Sequence, residues 1–121
     1  MERDRAPRVE FIGGQAPTFE ELRSWIGWRV TDLNGSVVGR VEEVLRDELG
    51  APSWLVVSEF RFGDGRRFIV PVVDAVGGGG HVFSPHRRDH IRLTARISGP
   101  RITRQAHRRL RSHYGNEPRA A

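Results

Sequence analysis

Apolar positions along the chain fall first at helical spacing and then in short runs of strand type. Thr18 and Glu21 stand at the spacing of a capping box, in which hydroxyl and carboxylate each satisfy a free backbone N–H. Phe19, Leu22 and Ile26 follow at i, i+3 and i+7, predicting a short helix that Gly27 can stop. From Trp28 the period becomes that of strands. Trp28–Leu33 meets Asn34-Gly35, a pair that tolerates φ > 0 and marks a hairpin, and Val37–Arg46 is the return strand. Val38, Val41 and Val44 are three apart, not two, which predicts a bulge or hard twist near Glu42-Glu43. After a turn at Leu49–Pro52, Ser53–Phe62 carries Trp54-Leu55-Val56-Val57 without a polar break. That run predicts burial on both faces, a sheet wall covered outside by a helix. Gly63-Asp64-Gly65 turns the chain into Arg67–Val76, where Pro71 cannot donate to a ladder and therefore belongs at an edge or bulge.

Gly77–Gly80 reads as a loop, His81–Ser84 as a short strand, and Pro85–His90 as a polar turn or a single helical turn. Ile91, Leu93, Ala95 and Ile97 alternate with Arg92, Thr94 and Arg96, the pattern of a half-buried strand with a basic outer face. After Ser98-Gly99-Pro100 a final helix is expected from about Thr103, its N-cap, to His113, with Gly115 beyond its end. Ile102, Ala106, Leu110 and Tyr114 form its apolar seam. The expected fold is mainly β: a small antiparallel barrel of five to six strands, a short N-terminal helix and a C-terminal amphipathic helix. Residues 1–16 are expected to be a flexible tail, 17–98 the barrel with its leading helix, and 99–121 a basic helix and tail.

The stretch Ile26–Val30, the hairpin around Asn34-Gly35-Ser36-Val37-Val38-Gly39-Arg40-Val41, the run Trp54–Val57 and the segment Arg67–Val72 occur in an order and spacing that resembles PRC-barrel domains. The likeness covers roughly residues 26–97, and the trailing helix is similar to extensions on stand-alone bacterial members. The resemblance implies a PRC-type barrel and an interaction module. The family includes the cytoplasmic domain of the photosynthetic reaction-centre H subunit and the C-terminal domain of a ribosome maturation factor. It brings no catalytic motif. The chain departs from both members, lacking the membrane helix of the first and the N-terminal barrel of the second, so neither role transfers directly.

Charge adds an asymmetry to this picture. All 20 basic residues are arginine, which holds its charge and presents a planar fork to carboxylates and phosphates. Residues 1–85 carry 10 Arg against 13 Asp and Glu, a net of −3, whereas 86–121 carry 10 Arg against 2, a net of +8. Arg92, Arg96, Arg101, Arg104, Arg108, Arg109 and Arg111 are therefore the candidate contacts for a partner protein or for phosphate. Two partner readings lead, ahead of peripheral contact of the same arginines with anionic lipid. The leading one is a protein partner, including a second copy in a homodimer whose carboxylates at 42–48 receive the helix. The alternative is RNA or a ribosomal component.

Other chemistry is poorly supplied. There is no cysteine, so neither disulfides nor thiolate sites arise. No apolar run is long enough for an integral membrane segment, and Met1 is followed by charge, so a cytoplasmic protein is expected. His86 and His90 stand at i, i+4, but no third ligand has a fixed spacing, and a solvated turn is the better reading than a metal site. Adjacent carboxylates at Glu42-Glu43 point to opposite faces of a strand, so they do not make a hydrolytic pair. Gly77–Gly80 lacks the lysine of a phosphate loop. No catalytic residues and no cofactor are expected.

Overall fold

A computed structural model of the protein describes residues 17–59, 65–96 and 102–115. The first helix, α1 (Phe19–Arg23), starts with the expected capping box. Thr18 N–H donates to Glu21 Oε1 at 2.8 Å, and Glu21 N–H donates to Thr18 Oγ1 at 3.1 Å. Thr18→Ala is expected to cost about 1 kcal/mol, read as a lower urea midpoint at unchanged m-value. The helix stops earlier than its apolar spacing indicated. The turn that follows swings Trp25 into the core and leaves Ile26 46% exposed.

Strands β1 (Arg29–Thr31) and β2 (Val37–Arg46) form the hairpin around Asn34-Gly35. Asp32 is buried at its turn. Its Oδ1 accepts from the N–H groups of Asn34 (2.9 Å) and Ser36 (2.8 Å), while Oδ2 accepts from Arg88 N–H at 2.7 Å. β3 (Pro52–Ser58) pairs antiparallel with β2, and the register slips between Val41 and Glu43, where the three-residue spacing of valines called for a bulge. β4 (Arg67–Pro71) pairs with β3 and ends on Pro71 at the sheet edge, the position a missing N–H allows.

The glycine run holds more structure than a loop. Val76–Gly78 is a strand, β5, and Gly79-Gly80 turn it into β6 (His81–Phe83) with φ of +60° and +84°. Gly77 is needed for a second reason: a Cβ there would lie 2.3 Å from the Trp25 ring.

The six strands run in the order β4-β3-β2-β1-β6-β5. β1 and β6 are parallel, pairing Arg29 with His81 and Thr31 with Phe83. The sheet is thus mixed, not wholly antiparallel, and its ends do not pair with each other. The β4 edge is already capped: Ile69 N–H donates to Thr94 Oγ1 at 2.8 Å, and the Tyr114 hydroxyl donates to the Ile69 carbonyl. Side chains occupy the groups that a closing strand would need.

Thr94 sits where a strand was expected. Arg88–Arg92 is a short helix, α2, continuing as a 3₁₀ turn over Leu93–Arg96. Ile91 and Thr94, three apart, are fully buried, while Leu93 is 51% exposed, so the inward face follows helical spacing. The last helix, α3 (Arg104–Gly115), is capped by Thr103, whose Oγ1 accepts from Ala106 N–H at 3.0 Å, and it includes Gly115 as its final residue.

Two apolar clusters result, one on each side of the sheet. Leu22, Trp25, Val30, Val41, Leu55, Val57, Phe68, Val82 and Ile91 fill the inner one. Trp54, Val56, Ile69 and Leu110 form the outer one, with Leu45, Ile102 and Tyr114 against it. Alternate residues of Trp54–Val57 point to opposite clusters, so the unbroken apolar run is accounted for by α3 covering the outer face. The expected tail at 1–16, the turn at 63–64, the strand ends at 60–62 and Ile97, and the 98–100 breaker lie outside the described residues.

Candidate interaction surface

The seven candidate arginines divide three ways. Arg92 and Arg111 are used within the chain. Arg92 Nη1 lies 2.9 Å from Glu59 Oε2 with its guanidinium 5.2 Å from the Phe68 ring centre, binding α2 to the end of β3. Arg111 Nη2 lies 3.0 Å from Glu48 Oε1, fastening α3 to the β2–β3 turn. Each arginine holds its partner carboxyl below the usual range, chiefly through the side-chain hydrogen bond. Arg104, Arg108 and Arg109 are exposed and form no ion pair with any described residue. Arg104 and Arg108, at i and i+4, share one outward stripe, with Arg109 beside it. Arg101 and the side chain of Arg96 lie outside the described residues.

The acidic segment offered earlier as a docking site for a second copy is also largely engaged. Besides Glu48 with Arg111, Glu42 accepts two bonds from Arg67, at 2.8 and 3.2 Å. Asp47 Oδ1 accepts from the N–H groups of Ala51 (3.0 Å) and Leu49 (2.9 Å), and its Oδ2 from the Ser53 hydroxyl at 3.1 Å. Led by the Ala51 bond, these lower its pKa and rigidify the turn that Arg111 grips.

Beneath the outward arginines, α3 is held by a group of rings. Trp54 Nε1–H donates to His107 Nδ1 at 2.7 Å, both side chains being buried. His90 and His113 stack at 3.8 Å with planes 6° apart, and each donates Nε2–H to the other's backbone carbonyl at 2.7 Å. Tyr114 lies 4.6 Å from His86 and 6.4 Å from Trp54, ring centre to ring centre. The i, i+4 histidines therefore do not share a helix face: His86 precedes α2 and packs on Tyr114, whereas His90 packs on His113. Among the described residues, no group of three or more His, Asp or Glu is placed to hold a metal ion.

His107 and Asp32 were missing from the candidates. The available signal for His107 was indirect, since a Trp buried in an apolar run needs an acceptor for its indole N–H. For Asp32 it was the Asp-x-Asn-Gly order, in which an Asp side chain caps its own turn.

No helix among the described residues is long and apolar enough to cross a membrane. Among curated proteins, none matches this chain in sequence. The PRC-barrel domain model does match, over residues 17–89, a span that runs from the capping box of α1 through all six strands into α2. With more than half of its length covered, this chain belongs to the PRC-barrel domain family.

Proposed function

We propose that this PRC-barrel chain is a non-catalytic, cytoplasmic module for protein interaction or assembly, receiving an acidic protein surface on the outward face of α3. The observation that carries this reading is the exposure of Arg104, Arg108 and Arg109 on a helix whose opposite face is fixed to the sheet. A charged face on an anchored helix loses little conformational freedom on binding, which favours docking. A second copy is one such surface. Because Glu42 and Glu48 are engaged within the chain, self-association draws on carboxylates such as Glu20 and Glu43, exposed on α1 and β2.

The RNA alternative uses the same arginines. It is weaker, because Tyr114, the aromatic residue of α3, is packed among Trp54 and the histidines with its hydroxyl bound to Ile69. It is not presented for base stacking.

The test is capture from lysate at low salt, with and without RNase, by the protein and by Arg104→Glu/Arg108→Glu/Arg109→Glu. A discrete protein, or the chain itself by sedimentation, is expected to survive RNase and to fall at least about tenfold in the triple variant, whose circular dichroism is unchanged. Undiminished capture by the variant rejects the arginine face. Capture abolished by RNase replaces the protein reading with the RNA one.

A further inference from the structure

We infer that α3 is held on the sheet by a proton-sensitive histidine clamp, and that acidification through the imidazole range releases it. This inference is independent of the function proposed above. It rests on which atoms donate. An indole N–H is a donor only, so His107 Nδ1 must present a lone pair to Trp54. An imidazolium has two N–H groups and no acceptor. Protonating Nδ1 would set two donors against each other across 2.7 Å, at a residue 3% exposed.

The second pair acts in the same direction. His90 and His113 bind each other's carbonyls through Nε2–H, which either charge state permits. Their rings, however, lie parallel at 3.8 Å, so two imidazoliums would stack charge on charge.

Among the described residues, the charges near these rings are mostly positive. Toward His107, Glu48 of the β2–β3 turn favours the charged ring, but it is bonded to Arg111, and Arg104 and Arg108 flank His107 on α3. Around the stacked pair, Asp89 opposes Arg87, Arg88 and Arg92 on the α2 side, with His86 and Tyr114 packed nearby and Arg109 one turn before His113.

The Trp54 bond requires an unprotonated His107 Nδ1, so the docking it supports is lost once that atom takes up a proton. Each proton taken up on release lowers the docking constant about tenfold per pH unit. Release would uncover Trp54, Val56 and Ile69, the outer apolar cluster.

The experiment is ¹⁵N NMR of the full chain from pH 8 to pH 5, following the Trp54 indole N–H and amide exchange in α3 and β3, corrected for intrinsic exchange. At pH 5 the indole signal is expected to move, and α3 is expected to lose at least about tenfold more protection than β3. The variant His107→Asn/His113→Gln supplies a non-titrating acceptor and donor at the corresponding atoms and is expected to keep α3 protected at both pH values. Equal protection of wild-type α3 at pH 8 and pH 5 overturns the inference, as does a folded variant that loses α3 at the same pH as wild type. Should the variant not fold, the wild-type ring ¹⁵N spectrum decides. A His107 Nδ1 that gains its proton while α3 stays protected overturns the clamp, and one that gains it as protection is lost supports it.

Discussion

Phe68→Ala is expected to remove about 4 kcal/mol of stability, enough to leave a domain of ordinary stability (about 5–15 kcal/mol) close to its unfolding threshold. Phe68 is fully buried and is the largest such side chain in the core. It projects from β4 into the inner cluster, with Val57 paired beside it on β3 and the Arg92 guanidinium near its ring. Truncation leaves a void between the sheet and α2, and neither can close it freely. β4 is tied to β3 through five residue pairs, and Thr94 is bonded to Ile69. The loss is therefore expected as global unfolding at a lower denaturant midpoint, with α3 and the sheet melting together. A variant that merely loosened α3 while the sheet kept its midpoint would contradict this account.

Gly39→Ala is the second large effect, expected at about 3 kcal/mol, the upper end for overpacking. An added Cβ would lie 2.1 Å from the Ser58 carbonyl oxygen and 3.0 Å from a Val57 methyl. The obstacle is backbone in the neighbouring strand, which cannot rotate aside. The β2–β3 ladder must shift or part at the Arg40–Ser58 end. Gly77→Ala also meets a close neighbour, but there the obstacle is the Trp25 side chain, so a smaller loss is expected. Paired urea titrations of the two variants check the ranking, and a Gly77 variant weaker than the Gly39 one would reverse it.

What could be read from the residues follows from how local the determining forces are. The capping box, the Asn-Gly hairpin, the full extent of Val37–Arg46 and its bulge all depend on neighbours within a few positions. The double-faced burial of Trp54–Val57 was legible because an unbroken apolar run needs cover on both sides. Residues 91–96 misled because Ile91, Leu93 and Ala95 satisfy alternation, while the deciding residue is Thr94, whose buried hydroxyl serves Ile69 N–H and the Ile91 carbonyl. That need arises only once β4 is an edge. The basic tail was visible as charge, yet its division into tethering Arg92 and Arg111 and outward Arg104, Arg108 and Arg109 depends on where Glu59 and Glu48 come to lie. His107 could not be singled out for the same reason: the buried indole signalled a need for an acceptor, but Trp54 and His107 are 53 positions apart in sequence.

The parallel pairing of β1 with β6 also sets an order of events during folding. Every other ladder in the sheet joins strands that are consecutive in the chain, and such hairpins close rapidly. β1 meets β6 only across a separation of 50 residues, the interval between Thr31 and His81, whose side chains are bonded at 2.7 Å. Its loop entropy must be overcome before any contact repays it. The β1–β2–β3–β4 meander and the β5–β6 hairpin are therefore expected to assemble separately and to join last at this seam. On the ribosome, β1 would wait with one side unpaired until His81–Phe83 had been synthesised.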